Sequence, residues 1–244
     1  MDIKKILKGA REAIDTLQKI AFAAFLISSC ASFIFHYYIV GIISTAAFLL
    51  LGLLIYTHLK YQRYPFSILS DTITLDIKDS AGHLAHYEKQ QKLRANHNGV
   101  TSYIEHGITT DGQTTNFQTN PGQVLPPFLI GGVTHVETRF STPPQKGKPF
   151  LRHFSYDFID SFTKSTEFYE FRTDYPVKKV FITIIFPSTR RCLSATVYHI
   201  VGVAQMKIAD LPVIPLSGGS GQVNITWEKK SPSLSHRYKI EWNW

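Results

Sequence analysis

The stretch that decides the predicted fold is Ile20–Leu59, IAFAAFLISSCASFIFHYYIVGIISTAAFLLLGLLIYTHL, which contains no Asp, Glu, Lys or Arg. As one α-helix, a block of this length would run about 60 Å, about twice the hydrocarbon core of a bilayer. Two spans fit better, because the residue types of His36–Tyr38 favour a membrane–water boundary. The block therefore predicts a two-helix transmembrane hairpin with spans Ile20–Tyr38 and Val40–Leu59.

The charges that flank this block predict its orientation. The turn between the spans has no Lys or Arg, whereas both outer flanks are basic: Lys4, Lys5, Lys8, Arg11, Lys19, Lys60 and Arg63. By the positive-inside rule we expect both termini in the cytoplasm. Residues 1–19 carry apolar side chains at helical spacing, which predicts an amphipathic helix. That helix either lies in the membrane interface or simply extends the first span.

Small side chains in the first span suggest a further property of the hairpin. Ala24 and Ser28 allow another helix to approach closely. We therefore expect them to lie in a membrane oligomer interface, and the chain to form homo-oligomers. The alternative, which the sequence leaves open, is that they only pack the two spans against each other.

Residues 66–244 have a different pattern, in which apolar and polar side chains alternate over short runs. Alternation with period two indicates strands. The predicted strands are Thr72–Lys78, Ala85–Arg94, Ser102–Thr109, His153–Asp160, Thr166–Arg172, Lys179–Phe186, Leu193–Val203, Gln222–Trp227 and His236–Trp244. Asn98–Gly99 predicts a hairpin between the second and third strands. The Gly- and Pro-rich Asn120–Gly132 predicts a loop, at which the domain would split if it were two.

The predicted fold class follows from these segments. We expect a membrane-anchored all-β protein, with the amphipathic helix over residues 1–19 and the transmembrane hairpin over residues 20–59. A cytosolic β-rich sensor domain follows over residues 66–244, built as a β-sandwich or a barrel.

The residues that could carry chemistry form no recognisable catalytic or metal-binding pattern. No Gly-x-Ser-x-Gly occurs. His83 and His86 are three apart on a predicted strand, so they point to opposite faces and cannot share an ion. Residues 66–244 contain 19 Lys and Arg against 15 Asp and Glu, too small an excess for duplex nucleic acid. We therefore expect no enzymatic activity, no metal, no cofactor and no duplex nucleic acid as a partner.

A binding site has better support in the sequence. Period two places Arg152 on the same strand face as Phe154, Tyr156 and Phe158. Aromatic rings beside a guanidinium suit a nucleobase and a phosphate. Arg152 and Tyr156 are therefore candidate ligand contacts, and the Arg190–Arg191 pair is a candidate second phosphate contact. The alternative is that the rings fill the core and Arg152 lies at the solvated end of its strand.

The organisation of the chain resembles the two-transmembrane, β-strand-rich effectors of bacterial cyclic-oligonucleotide (CBASS-type) anti-phage defence. The resemblance covers Ile20–Leu59 as the anchor and Thr72–Trp244 as the sensor. It implies a multi-pass protein of the bacterial inner membrane that binds a cyclic oligonucleotide, contacts the lipid bilayer and oligomerises to disrupt the membrane or signal across it. The alternative function is a membrane-tethered β-sandwich adaptor that binds a protein partner.

Overall fold

A computed structural model describes residues 15–29, 38–217 and 221–244 of the chain. These residues belong to two compact units, Met1–Lys60 and Tyr61–Trp244. In the first unit, residues 15–29 are helical (α1) and a second helix, α2, runs over Tyr38–Gln62. The side chains of α2 are described for residues 44–56. The finer domain limits drawn from the sequence stay predictions.

The two helices correct the central prediction from the sequence. Within the described residues, no helix is both long enough and apolar enough to cross a membrane. The predicted transmembrane hairpin was therefore wrong, as were the fold class built on it and the placement in a bacterial inner membrane with two spans and cytoplasmic termini.

Parts of the predicted membrane segment lie outside the described residues. These parts are residues 1–14 of the predicted amphipathic helix and residues 30–37, which hold the predicted turn. In the described part, Phe25 of α1 and Phe48 of α2 contact each other, with ring centroids 5.7 Å apart. Ala24 is exposed and Ser28 is half-buried. Their place in an oligomer interface stays a prediction.

The second unit is built of strands, and the chain is mostly β. The strands are β1 (Phe66–Ile77), β2 (Leu84–Ala95), β3 (Ser102–Ile108), β4 (Gln113–Asn120), β5 (Gln123–Val124), β6 (Phe128–Ile130), β7 (Val133–Arg139), β8 (Pro149–Ile159), β9 (Thr166–Arg172), β10 (Lys179–Phe186), β11 (Ser194–Val201), β12 (Ala204–Leu211), β13 (Ile214–Pro215), β14 (Val223–Lys230) and β15 (Arg237–Asn243).

The strands form one large sheet and two small ones. The large sheet has seven strands in the order β13-β14-β10-β1-β2-β8-β4, and all its neighbouring pairs are antiparallel except β1 and β10. One small sheet has the order β12-β11-β15-β9. The other has the order β3-β7-β5, with β6 also paired to β7. Strands β9 and β3 are therefore each at the edge of a small sheet.

One face of the large sheet carries the hydrophobic core, because successive side chains of a strand alternate between its two faces. On β1, Ile73, Leu75 and Ile77 alternate with more exposed residues and are fully buried. Their neighbours on β10, Ile182 and Ile184, are also fully buried. This row of branched side chains forms the apolar floor of the domain.

Both small sheets cover this same face. Trp242 of β15 contacts Phe186 of β10, with ring centroids 5.7 Å apart. At the other end of the face, Tyr103 of β3 contacts Phe66 of β1, with centroids 5.4 Å apart. The domain therefore has two layers, and its second layer is divided between two sheets that share no strand pair within residues 61–217 and 221–244.

The predicted hairpin at Asn98–Gly99 was wrong. The positive φ of Gly99, 71°, fits a tight turn. However, the strands on either side do not pair, because β2 pairs with β1 and β8 whereas β3 pairs with β7. The turn instead moves the chain from the large sheet into the second layer.

The packing predicts a clear difference between two leucines. Replacing the fully buried Leu75 by Ala should lower the free energy of unfolding by about 2–5 kcal/mol, because it leaves a cavity. The same change at Leu151, whose side chain is 73 % exposed, should cost no more than about 0.5 kcal/mol. Urea denaturation of both variants measures this, and equal losses would contradict the assigned inner face.

Candidate functional site: a cleft between two strand edges

A cleft of about 430 Å³ opens in the divided second layer of the β domain. Its floor is the inner face of the large sheet, which contributes Asp71 of β1, Tyr87 and Lys89 of β2, and Tyr156 and Phe158 of β8. Its walls come from β3 with the residues that follow it, and from β9 with its flanking residues. The volume lies within the range of about 300–1,000 Å³ that is usual for ligand pockets.

The two walls are strand edges rather than strand faces. Consecutive residues line the cleft on each side, residues 103–111 on one and residues 167–172 on the other. Neighbouring side chains of a strand point to opposite faces, so a wall made by one face would show only alternate residues. The cleft therefore follows the free edges of β3 and β9.

Two contacts show how these edges run relative to each other. At one end, the hydroxyl of Tyr175, just after β9, donates to the carbonyl of Ile104 in β3 at 3.4 Å. At the other end, Lys164 Nζ, just before β9, donates to Asp111 Oδ2, just after β3, at 2.5 Å. The two strands are therefore antiparallel across the cleft.

A row of polar side chains crosses the floor at one level of the large sheet. Asp71, Gln91 and Arg152 are direct cross-strand neighbours on β1, β2 and β8, and all three are buried. Gln91 Nε2 donates to Asp71 Oδ2 at 3.3 Å, and Arg152 Nη1 donates to Gln91 Oε1 at 2.7 Å. The row forms a chain of hydrogen bonds from one strand to the next.

The polar row is tied to the second layer by one carboxylate. Glu105 of β3 receives Lys89 Nζ on Oε1 at 2.5 Å and Arg152 Nη1 on Oε2 at 3.1 Å. Thr138 of β7 also accepts a hydrogen bond from Arg152, at 2.9 Å. Two cations of the large sheet thus hold one anion of the small sheet.

Burial and these ion pairs set the protonation of the floor. Burial raises the pKa of Asp71 to about 6, although Lys89 opposes the shift. Burial also acts to raise the pKa of Glu105, but Lys89 and Arg152 outweigh it and keep the pKa below its usual value. Among the described residues, Asp71 Oδ1 has no hydrogen-bond partner. Glu105 is therefore held as an anion, and Asp71 changes charge near pH 6.

Arg152 lies on the inner face of the large sheet, where it bonds to β3 and β7, and it does not line the cleft. Its side chain is fully buried, and its Cζ is 4.3 Å from the ring centroid of Tyr103 and 4.8 Å from that of Phe154. Its guanidinium already donates to protein acceptors on three residues. The sequence alternation did place it on the same buried face as Phe154, Tyr156 and Phe158. Its role as a ligand contact stays a prediction.

The other three residues predicted to contact a ligand do not lie together. Tyr156 lines the cleft and stacks on Tyr87, with ring centroids 4.6 Å apart. Arg190 Cζ lies 3.8 Å from the ring centroid of Trp244, and its Nη2 donates to the carbonyl of Lys164 at 2.9 Å. Arg191 is exposed. Among the four, Tyr156 alone belongs to the described lining of the cleft.

The cations of the cleft are already paired with carboxylates. Besides Lys89 and Lys164, Arg172 pairs with Asp174 at 2.9 Å, and Arg237 pairs with Glu170 at 3.4 Å. The lining contains four basic residues and six acidic ones: Asp71, Glu105, Asp111, Glu167, Glu170 and Asp174. The cleft therefore has a small excess of negative charge when all these groups are ionised.

Sequence reasoning missed Asp71, Lys89 and Glu105. One signal was present for Asp71, since it continues the period-two series Ile73, Leu75 and Ile77 and must share their inner face. The same signal was present for Lys89, since it lies in the period-two series of the buried Ala85, Tyr87 and Leu93 along β2. The strand of Glu105 was predicted, but its position opposite Lys89 depends on sheet packing.

Metal binding has no support in the described part of the chain. No group of three or more His, Cys, Asp or Glu side chains among those residues could hold an ion.

Cys192 is buried, and burial raises the pKa of its thiol to about 11. A thiol with a raised pKa is a poor nucleophile at neutral pH.

Comparisons with known proteins assign no family. No protein-family model and no curated protein matches the chain. Among solved structures it is similar to an M1 zinc metallopeptidase from Deinococcus radiodurans, at 8% identity and a TM-score of 0.45 over 72% of this chain and 42% of that one. It is also similar to a candidate protease from Parabacteroides distasonis, at 8% identity and a TM-score of 0.46 over 74% of this chain and 40% of that one. No functional conclusion follows from these similarities.

The buried position of Arg152 predicts a large stability effect. Replacing Arg152 by Ala should lower the free energy of unfolding by about 3–5 kcal/mol, because the change breaks a buried ion pair with Glu105. The exposed Arg191 provides the control, and its replacement by Ala should cost no more than about 0.5 kcal/mol. Urea denaturation gives both values. A loss under about 1 kcal/mol for Arg152→Ala would show that the network does not depend on it.

The raised pKa of Asp71 predicts a specific pH dependence. Its pKa is about 6 in the folded chain against 3.8 for an aspartate in water, so the folded state holds this proton more tightly. The resulting stabilisation is present below pH 4 and is lost as the pH rises through 6, by about 3 kcal/mol in total. In Asp71→Asn this component should be absent, so unfolding free energies from pH 4 to pH 7 should diverge from wild type. Asp76→Asn, on the other face of β1, is the control. Parallel curves for wild type and Asp71→Asn would contradict the prediction.

Proposed function

We propose that residues 61–244 form a non-catalytic ligand-recognition domain and that the cleft between β3 and β9 is its binding site. The observation that carries the proposal is the gap in the second layer, of about 430 Å³ and lined by aromatic rings over a buried charged floor. A concave site with aromatic walls and a few convergent polar groups is the usual form of a binding pocket.

The chemistry of the cleft bears on the ligand that the resemblance implied. Phosphate recognition uses Arg or Lys side chains whose donors are free for the phosphate oxygens. The four cations of the lining are each paired with a carboxylate, and acidic residues are in excess. These charges favour a neutral or basic ligand. A cyclic oligonucleotide stays a prediction from the resemblance alone.

The remaining parts of the predicted function rested on the hairpin. Membrane disruption by an effector and membrane tethering of an adaptor both required two spans, and we do not propose them. Recognition of a partner by the β domain needs no membrane segment.

Two threonines that flank β3 provide a matched test of the site. Thr109 and Thr101 are both exposed, but only Thr109 lines the cleft. A panel of cyclic di- and trinucleotides and linear peptides is tested against the full chain by thermal shift and calorimetry. For a compound that binds, Thr109→Trp should raise Kd at least tenfold, because the indole obstructs the cleft, whereas Thr101→Trp should leave Kd within a factor of two.

The outcome against the proposal is equally definite. A ligand that binds wild type, Thr109→Trp and Thr101→Trp with the same Kd occupies another site, and the cleft then loses its proposed role. Circular dichroism of both variants checks that the strands remain.

A further inference from the structure

The edge of β9 presents unused hydrogen-bonding groups to the cleft. Trp244 N donates to the carbonyl of Ser165 at 3.2 Å, and Thr173 N donates to that of His236 at 3.2 Å. With the observed register of β9 and β15, these bonds mark the odd-numbered residues of β9 as the hydrogen-bonded positions. The N–H and C=O groups of Phe168 and Glu170 therefore point away from β15, towards the cleft.

The edge of β3 also presents backbone groups to the cleft, but its pairing with β7 is less regular than that of β9 with β15. Phe140 N donates to the carbonyl of Thr101 at 2.8 Å, so the odd-numbered residues at the start of β3 bond to β7. The backbone of Ile104 then points to the cleft, where its carbonyl accepts the hydroxyl of Tyr175. The register with β7 also shifts between Glu105 and Ile108. Of the two edges, β9 is the better template.

We propose that the cleft binds an extended peptide segment of a partner protein, which adds as a strand to the free edge of β9. The inference rests on the proposed function and names its ligand class. Backbone hydrogen bonds to an exposed edge supply affinity in this mode, and pockets for alternate side chains supply specificity. β9 pairs regularly with β15 over seven residues, so the template is about 20 Å long.

The lining predicts which peptides fit. In an added strand, alternate side chains point down to the floor, where Tyr87 and Tyr156 lie, while the others point to solvent. Six acidic residues against four paired basic ones disfavour an acidic segment. The expected partner segment is therefore extended, neutral or basic, and aromatic or aliphatic at alternate positions.

Glu170 allows the backbone contribution to be separated from that of the side chain. A linear heptapeptide phage library is selected on the full chain, and the recovered peptides are synthesised. Glu170→Ala removes the carboxylate and its ion pair with Arg237. Glu170→Pro removes the same groups and, in addition, the N–H that faces the cleft. Proline is tolerated at an edge when its nitrogen faces away from the ladder.

The expected result is a difference between these two variants. Kd of a selected peptide should rise at least tenfold from Glu170→Ala to Glu170→Pro, because these two variants differ in the backbone N–H that faces the cleft. A second measurement on the wild-type chain does not depend on how the proline variant folds. Methylation of single peptide nitrogens should weaken binding at every second position, because only alternate N–H groups face β9.

Several outcomes would overturn the inference. One is that no peptide is recovered, and another is that the recovered peptides show no period-two response to N-methylation. Concentration-dependent dimerisation of the chain that Glu170→Pro abolishes and Glu170→Ala retains would assign the edge to a second copy instead. If a compound that is not a peptide binds in a manner sensitive to Thr109→Trp while peptides do not bind, the proposed function stands and only the strand addition fails. Peptides insensitive to Thr109→Trp would contradict both.

Discussion

The buried pairing of Glu105 with Lys89 and Arg152 is the interaction on which the β domain depends. Glu105 belongs to a small sheet, and both cations belong to the large one. A buried charge that loses its partner costs several kcal/mol, so the pair permits only a position of β3 in which Glu105 points inward. The same constraint fixes the direction in which the edge of β3 faces.

The other small sheet is held by aromatic packing. Rings of β15 pack against the large sheet, as Trp242 does on Phe186 and Tyr238 does on Trp227, with centroids 5.7 and 5.1 Å apart. Aromatic contacts therefore hold both small sheets, and β3 has the buried ion pairs in addition. Since no strand pair in the described part of the chain joins the two small sheets, the gap between them persists as a cleft between two strand edges.

Local structure could be predicted from the sequence, whereas the pairing of distant strands could not. Thr166–Arg172 and Lys179–Phe186 were predicted with the bounds that the structure shows, because period two and apolar runs are local signals. The hairpin at Asn98–Gly99 failed because strand partners are chosen by sheet packing. The shared face of Arg152 and Tyr156 followed from alternation. The position of Glu105 against Arg152 did not, because 47 residues separate them. The cleft lies where the edges of β3 and β9 have no strand partner, and no local sequence pattern predicts such a gap.

A double-mutant cycle between Lys89 and Glu105 tests this account most directly. Lys89→Met, Glu105→Gln and the double variant are unfolded in urea as full chains at pH 7.5. If the pair holds β3 to the large sheet, the double variant should be more stable than the sum of the single losses predicts, by about 1–3 kcal/mol. Losses that add within about 0.5 kcal/mol would show that the two side chains are not energetically coupled. The pair would then not be what holds β3 to the large sheet.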